Sequence, residues 1–271
     1  MVHGELKGAR SRQKIGSCEV RPFGELTAPK GDSLKTQVLY GLAVDGDFLL
    51  MPDGSPLIHP DDRFLTHLGW ELEALGEVNV RTLSLFSMFC TLQIFTLKEA
   101  PATLESLEGL LMNDPALQTA SSGPEQCLQL ERSECVSRLL ARDGLHRPLF
   151  SPLWSDRATL EANGVYEIFS DIVNAVVPRY NDLTPPQRCV VNQSLHCHGS
   201  FLLGLALASS LCTRMEYAQA VLAVSGRDFQ VSEGVSRTRY LKDFRALLAD
   251  AAVFDLFLTL VGPKPGGDLI H

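Results

Sequence analysis

The stretch from Thr184 to Leu211 constrains this chain more than any other. Thr184 is a good helix N-cap, and Pro185 and Pro186 are tolerated in a first turn, where no intrahelical donor is lost. Val191, Leu195, His198, Leu202 and Leu205 then recur at spacings of four and three, the helical period. By Phe201–Leu211 the pattern is apolar nearly all round, which predicts a long, central, buried helix. Gly199 and Gly204 inside it each cost about 1 kcal/mol against Ala, a loss that close packing of another helix would offset. A segment of this kind needs further helices to cover it.

Candidates follow and precede it. Ser155–Asn163 predicts a short helix ended by Gly164, and Glu167–Val177 another stopped before Pro178. Met215–Val224 reads as a helix. Ser236 then caps a last one, with a seam of Tyr240, Phe244, Leu247, Ala251, Phe254 and Leu258 and an end at Gly262-Pro263. Residues 99–126, which hold Pro101, Pro115, Ser121-Ser122, Gly123 and Pro124, read as a helix-containing connector.

The N-terminal half has another character. Gln37–Val44 is β-rich, Asp45-Gly46 is a turn dipeptide and Phe48–Met51 is apolar. Pro52–Ser55 is a second turn before Pro56-Leu57-Ile58, so a small antiparallel meander is predicted. Asp61-Asp62 opens a helix carrying Phe64, Leu65, Leu68, Leu72 and Leu75. Val78–Leu97 fits a strand followed by a buried helix, but its period does not decide. The expected organisation is a leader or extended tail at 1–32, a β-rich N-terminal domain at 33–98, a connector with helix at 99–150 and a helical C-terminal domain at 151–263. The fold class is α+β: a small antiparallel-sheet domain plus an all-helical domain around a central buried helix.

Composition narrows the function. With 271 residues, 45% hydrophobic and 21% charged, the chain can bury a real core. A net charge of −8 argues against a phosphate-backbone binder, so no nucleic acid is expected as a partner. Seven Cys without a CxxC read as reduced thiols of a non-secretory compartment, not a disulfide framework. No apolar run reaches the roughly 18–20 residues of a transmembrane helix. Lys7, Arg10, Arg12, Lys14, Arg21 and Lys30 against Glu5, Glu19 and Glu25 fit an organelle transit peptide or a solvated basic tail.

No catalytic residue, metal ligand or cofactor is signalled. GxGxxG, GxxxxGK[ST] and GxSxG are all absent. His196-Cys197-His198 is the one cluster to weigh, but adjacent helical residues point about 100° apart, so the two imidazoles diverge. His198 sits on the apolar seam, where a hydrogen-bonded core histidine is the favoured reading. Asp61-Asp62 reads as helix N-terminal charge and Glu71/Glu73 as a solvated face. Arg237, Arg239, Lys242 and Arg245 read as a basic, solvated stripe.

The run Val44-Asp45-Gly46-Asp47-Phe48-Leu49-Leu50-Met51-Pro52-Asp53-Gly54-Ser55-Pro56-Leu57-Ile58-His59-Pro60 resembles the N-terminal signature of one family, L-D-G-x-x-L-K-T-P-x-x-x-P-L-x-L-P, without a gap. That family is the mitochondrial ATP-synthase assembly chaperones of the ATP-twelve type, which attend the α subunit of the catalytic head. Its E-W is similar to Gly69-Trp70 here, with the Trp kept and the acid lost. Its E-W-D-P…G-V resembles Leu153-Trp154-Ser155-Asp156 through Gly164-Val165, and its G-S-x-x-L-G-L-A resembles Gly199–Ala206. Ala218–Leu222 and Phe229-Gln230 follow in order, so the resemblance covers about residues 37–260.

The departures fall on the family's functional segment, roughly L-E-E-x-x-Q-x-x-x-W-G. Here it is Ser225–Gly234: the paired acids are Gly226 and Arg227, and the late Trp is missing. Lys-Thr of the first signature is Leu50-Met51. The resemblance implies a non-enzymatic, mitochondrial protein-binding module whose partner is the ATP-synthase α subunit or a mitochondrial complex. Trp70, Trp154, Arg227, Asp228 and Gln230 are its implied partner-binding residues. Reversed charge would repel what the family attracts. The alternative is therefore a repurposed chaperone fold, built permanently into a large complex (ATP synthase, respiratory complex or mitoribosome) as an accessory subunit.

Overall fold

Two long strands open the described part of the chain. β1 (Cys18–Lys30) and β2 (Ser33–Val44) pair antiparallel from Cys18 opposite Val44 to Lys30 opposite Ser33. The computed structural model describes residues 15–30, 33–78, 82–119, 123–154, 156–225 and 237–261. The chain divides into two compact units, Met1–Leu97 and Lys98–His271.

In the first unit the register shifts between Pro22 and Gly24, a bulge at a residue that has no N–H for the ladder. Residues 18–30 of the stretch read as a leader are thus a strand. Their weak periodicity fits this bulged edge position, where one row of backbone groups has no strand partner. Beyond β2, Asp45 and Gly46 take φ 52° and 98°, the positive pair of a two-residue hairpin turn. They lead into β3 (Asp47–Phe48) on β2, and β4 (Ile58–His59) pairs β2 at Gly41 and Tyr40. The predicted antiparallel sheet is present, but β4 returns to β2 and not to β3, so it departs from a plain meander.

α1 (Asp62–Leu75) starts at Asp61, whose carboxylate accepts the Arg63 N–H at 3.0 Å, and ends at Gly76 with φ 69°. Its buried face is Phe64, Leu65, Leu68, Gly69 and Leu72. α2 (Leu85–Ile94) is nearly all buried and begins with a Ser84/Ser87 capping box. The Phe64 and Phe89 rings meet at 4.9 Å, which resolves the ambiguous stretch after Val78 as helix in its latter part.

The second unit is helical: α3 (Leu104–Met112), α4 (Gly123–Arg132), α5 (Glu134–Ala141), α6 (Arg157–Ala162), α7 (Tyr166–Asn181), α8 (Pro185–His198), α9 (Phe201–Ala208), α10 (Arg214–Val224) and α11 (Arg237–Val261). Every residue of α9 is buried, and α8, α5, α10 and α3 pack on it. Burying a Phe201 or Leu205 side chain is worth about 1.5–3 kcal/mol each.

Three expectations change here. The long helix is two: Gly199 adopts φ 77° and closes α8, then Ser200 caps α9 by accepting the Leu203 N–H at 3.2 Å. Pro178 does not stop α7, which runs on to Asn181. The carbonyl it leaves unpaired belongs to exposed Asn174, where water can serve it. Residues 99–150, read as a connector, lie in the helical unit, with α3 against α7 and α9 and α5 against α9. Gly204, as expected, marks close packing: a Cβ there would stand 2.6 Å from Ser194 Cβ and 3.0 Å from Val191 Cα.

Candidate partner-binding residues

Trp70 owes its position to the residue before it. An added Cβ on Gly69 would stand 3.1 Å from Cys18 Cβ and 3.4 Å from Leu42 Cδ1, so α1 lies directly on β1 and β2 at this point. The next residue points about 100° round the helix, and Trp70 is 60% exposed, touching His67 edge-on at 5.1 Å. An exposed Trp held on a rigid helix is a strong protein-contact feature. A side chain at position 69 would be pressed into the sheet.

Glu71 and Glu73 on α1 both accept backbone bonds. Glu71 accepts the N–H groups of Leu85 (2.9 Å) and Phe86 (3.3 Å) at the start of α2, and Glu73 accepts the Cys18 N–H at 2.7 Å. Burial pushes the Glu71 carboxyl up, against the lowering effect of those two bonds. The solvated face expected for Glu71/Glu73 is corrected for Glu71, which is half-buried against the start of α2; Glu73 stays exposed while it accepts from Cys18.

In the second unit Trp154 follows a turn in which its N–H donates to the Ser151 carbonyl at 2.9 Å. Asp156 then caps α6 through the Thr159 N–H at 2.8 Å. Trp154 is half-buried, and its neighbour Leu153 is 83% exposed. Leu153 is therefore an exposed apolar residue that sequence reading missed; the turn beginning at Pro152 was its only signal. Phe95, at 62% exposed, was missed because it follows a buried helix whose pattern gave no outward face. Arg227, Asp228 and Gln230, like Gly226, Ser236 and Gly262-Pro263, lie outside the described residues.

His198 is a core histidine. Its Nδ1 lies 2.8 Å from the Tyr217 hydroxyl and its Nε2 3.0 Å from Asp250 Oδ2. Tyr217 is also 2.7 Å from the Ser194 hydroxyl, which donates to the Ser200 carbonyl at 2.9 Å. One network thus ties α8 to α10 and α11 and crosses the α8–α9 break. Among the described residues, no group of three or more His, Cys, Asp or Glu side chains is placed to hold a metal ion. Among them also, no helix is long and apolar enough to cross a membrane.

A small antiparallel sheet with two helices, followed by a helical unit around a buried short helix, defines an α+β fold seen in solved proteins. Atp12 from Paracoccus denitrificans superposes with a TM-score of 0.58 at 13% identity, over 93% of this chain and 98% of that one. A point mutant of the same Atp12 gives 0.56 at 15% identity with the same coverage. The Atu1473 protein of Agrobacterium tumefaciens, described as a candidate chaperone, gives 0.56 at 16% identity over 92% and 86% of the two chains. The likeness is one of fold, at low sequence identity. No protein-family model matches the sequence, and a search of curated proteins finds no match.

Proposed function

We propose that this chain is a non-enzymatic assembly factor of the ATP-twelve type, which holds the α subunit of an ATP synthase in the mitochondrion before that subunit enters the enzyme. The observation that carries the reading is the fold shared with Atp12 over nearly the whole of both chains. Its support in sequence is the ungapped signature at residues 44–60, which forms the β2–β3 turn, the second turn and β4. Exposed Trp70 and Leu153 give each unit an apolar contact point suited to a protein partner.

A second reading, a permanent accessory subunit of a large mitochondrial complex, is favoured by one observation. Leu50, where the family has Lys, is 55% exposed, so the exchange adds apolar surface instead of filling the core. Gly226 and Arg227 in place of an acid pair point the same way.

Tagged protein isolated from its native cells, run on native gels and read by mass spectrometry, separates the two. Recovery with free α subunit and absence from mature enzyme is expected. Stoichiometric retention in a mature complex overturns the assembly factor in favour of the accessory subunit. Recovery with neither overturns both.

A further inference from the structure

The acids and the cations of α11 are sorted to different sides. The helix buries Leu247, Ala251, Phe254 and Phe257 and packs on α10 and α8. Two of its acids turn to those helices: Asp250 meets His198 of α8 at 3.0 Å, and Asp255 meets Arg214 of α10 at 3.6 Å. The third, Asp243, is half-buried. Arg239, Lys242 and Arg245 are exposed and run along the first half of the helix, three residues apart. Among the described residues, no carboxylate forms an ion pair with any of these three cations.

Such a placement is unfavourable for the helix alone. Like charges three residues apart repel one another, and a cation in a first turn opposes the positive end of the helix dipole. α11 has no acid in its first turn to offset this. Opposite charge brought against the stripe from outside removes both penalties. Beyond Arg245 the same face turns apolar. Lys242, Arg245, Ala249, Ala252 and Leu256 lie three, four, three and four residues apart, opposite the buried side. Ala249 and Leu256 are exposed and Ala252 is half-buried.

We infer that this face of α11 docks an acidic amphipathic helix of a partner protein. The carboxylates of that helix lie against Arg239, Lys242 and Arg245, and its apolar side rests on Ala249, Ala252 and Leu256. The alanines favour a helix as occupant, because without bulk at these positions two helix axes approach to about 8–10 Å. A bilayer surface is a poorer match. Interfacial helices insert several large apolar side chains, and among the described residues of α11 only Leu241 and Leu256 are large, apolar and exposed. The chain's net charge of −8 also opposes an anionic bilayer, whereas a local basic face still attracts one acidic segment. The face recognises this chemistry whichever protein supplies it, α subunit or another.

The photo-cross-linker p-benzoylphenylalanine, placed at position 249 of the full chain in its native cells, reads the occupant directly. After irradiation the cross-linked peptides are identified by mass spectrometry. The expected product joins position 249 to one segment of another protein, helical in period and with Asp and Glu in excess over Lys and Arg. Its composition is read with all three cations in place, so the result stands whether or not a variant folds. Arg239→Glu, Lys242→Glu and Arg245→Glu together should cut the yield at least about 10-fold at an unchanged melting temperature. Lys in place of the partner segment's acids should restore it. The purified chain should not sediment with vesicles of equal parts phosphatidylcholine and phosphatidylserine. Sedimentation that the charge reversal abolishes overturns the proposal in favour of a membrane. A cross-link within the chain or to a second copy of it, a segment without excess acid, an undiminished yield from a folded reversed variant, or no cross-link at all overturns it as well.

Discussion

Asp114 Oδ2 accepts the Leu202 N–H at 2.9 Å, so the turn after α3 caps the buried helix α9 across 88 residues of sequence. Its Oδ1 accepts the Ser200 hydroxyl and the Ala116 N–H, both at 2.8 Å. Burial pushes this carboxyl up, while the bonds from Leu202, Ala116 and Ser200 oppose the shift. Replacing it strands three buried donors. Asp114→Ala is expected to cost about 3–5 kcal/mol in urea unfolding. A loss under about 1 kcal/mol would show that the cap is dispensable.

Three glycines should respond in three ways. Gly204→Ala drives a methyl into Ser194 and the Val191 backbone, so a net loss of about 1–3 kcal/mol is expected despite better helix propensity. Gly199→Ala has open space but must hold φ 77°, at about 1–2 kcal/mol. Gly109→Ala, mid-helix in α3 and facing open space, should stabilise by about 0.5–1 kcal/mol. Thermal melts of the three variants check the order; a neutral Gly204→Ala would refute the close approach of α8 and α9.

Glu216 gives a pH signature. The Thr213 N–H and then the Arg138 guanidinium hold its carboxyl at about 2, against an ordinary 4.5. A depressed acid stabilises fully above 4.5, and the gain is lost as pH falls through about 2. Glu216 is largely solvated, so the contribution is discounted to about 0.5–1 kcal/mol. Glu216→Gln should lose that much at pH 7 and flatten the fall in urea midpoint between pH 5 and 3. An unchanged slope would remove Glu216 from the balance.

His198→Gln should cost about 1–3 kcal/mol through the bonds to Tyr217 and Asp250, measured by urea unfolding. Stoichiometric zinc in purified protein, seen by atomic emission, would instead make this histidine a metal ligand.

Trp70→Ala removes an exposed ring and should leave the melting temperature unchanged. It should weaken capture of isolated α subunit at least about 10-fold, as an interface anchor does. Leu153→Asp tests the second unit in the same pull-down. Full capture by both variants would place the contact elsewhere.

Local chemistry made much of this legible. Asp45-Gly46 announced its turn because few residues accept two successive positive φ angles, and the 3–4 spacing from Phe64 to Leu72 announced α1. The break after His198 was also written in the chain, as a Gly-Ser stop and start, but continuous apolar character masked it. For the candidate site, Trp70 was found by resemblance, whereas exposed Leu153 and Phe95 carried no pattern that sets them apart from core residues.

By itself, then, the sequence determined the α+β class, the small antiparallel sheet, most helix positions and the family likeness, because turn chemistry and amphipathic period act over a few residues. Only the tertiary structure decided what distant groups do to one another. It made Glu71 and Glu73 into acceptors for the ends of α2 and β1, set Asp114 on α9, and drew His198 between Tyr217 and Asp250. The physical reason is that a buried donor or acceptor takes its partner from whatever packing places within bonding reach, and no local pattern encodes that partner.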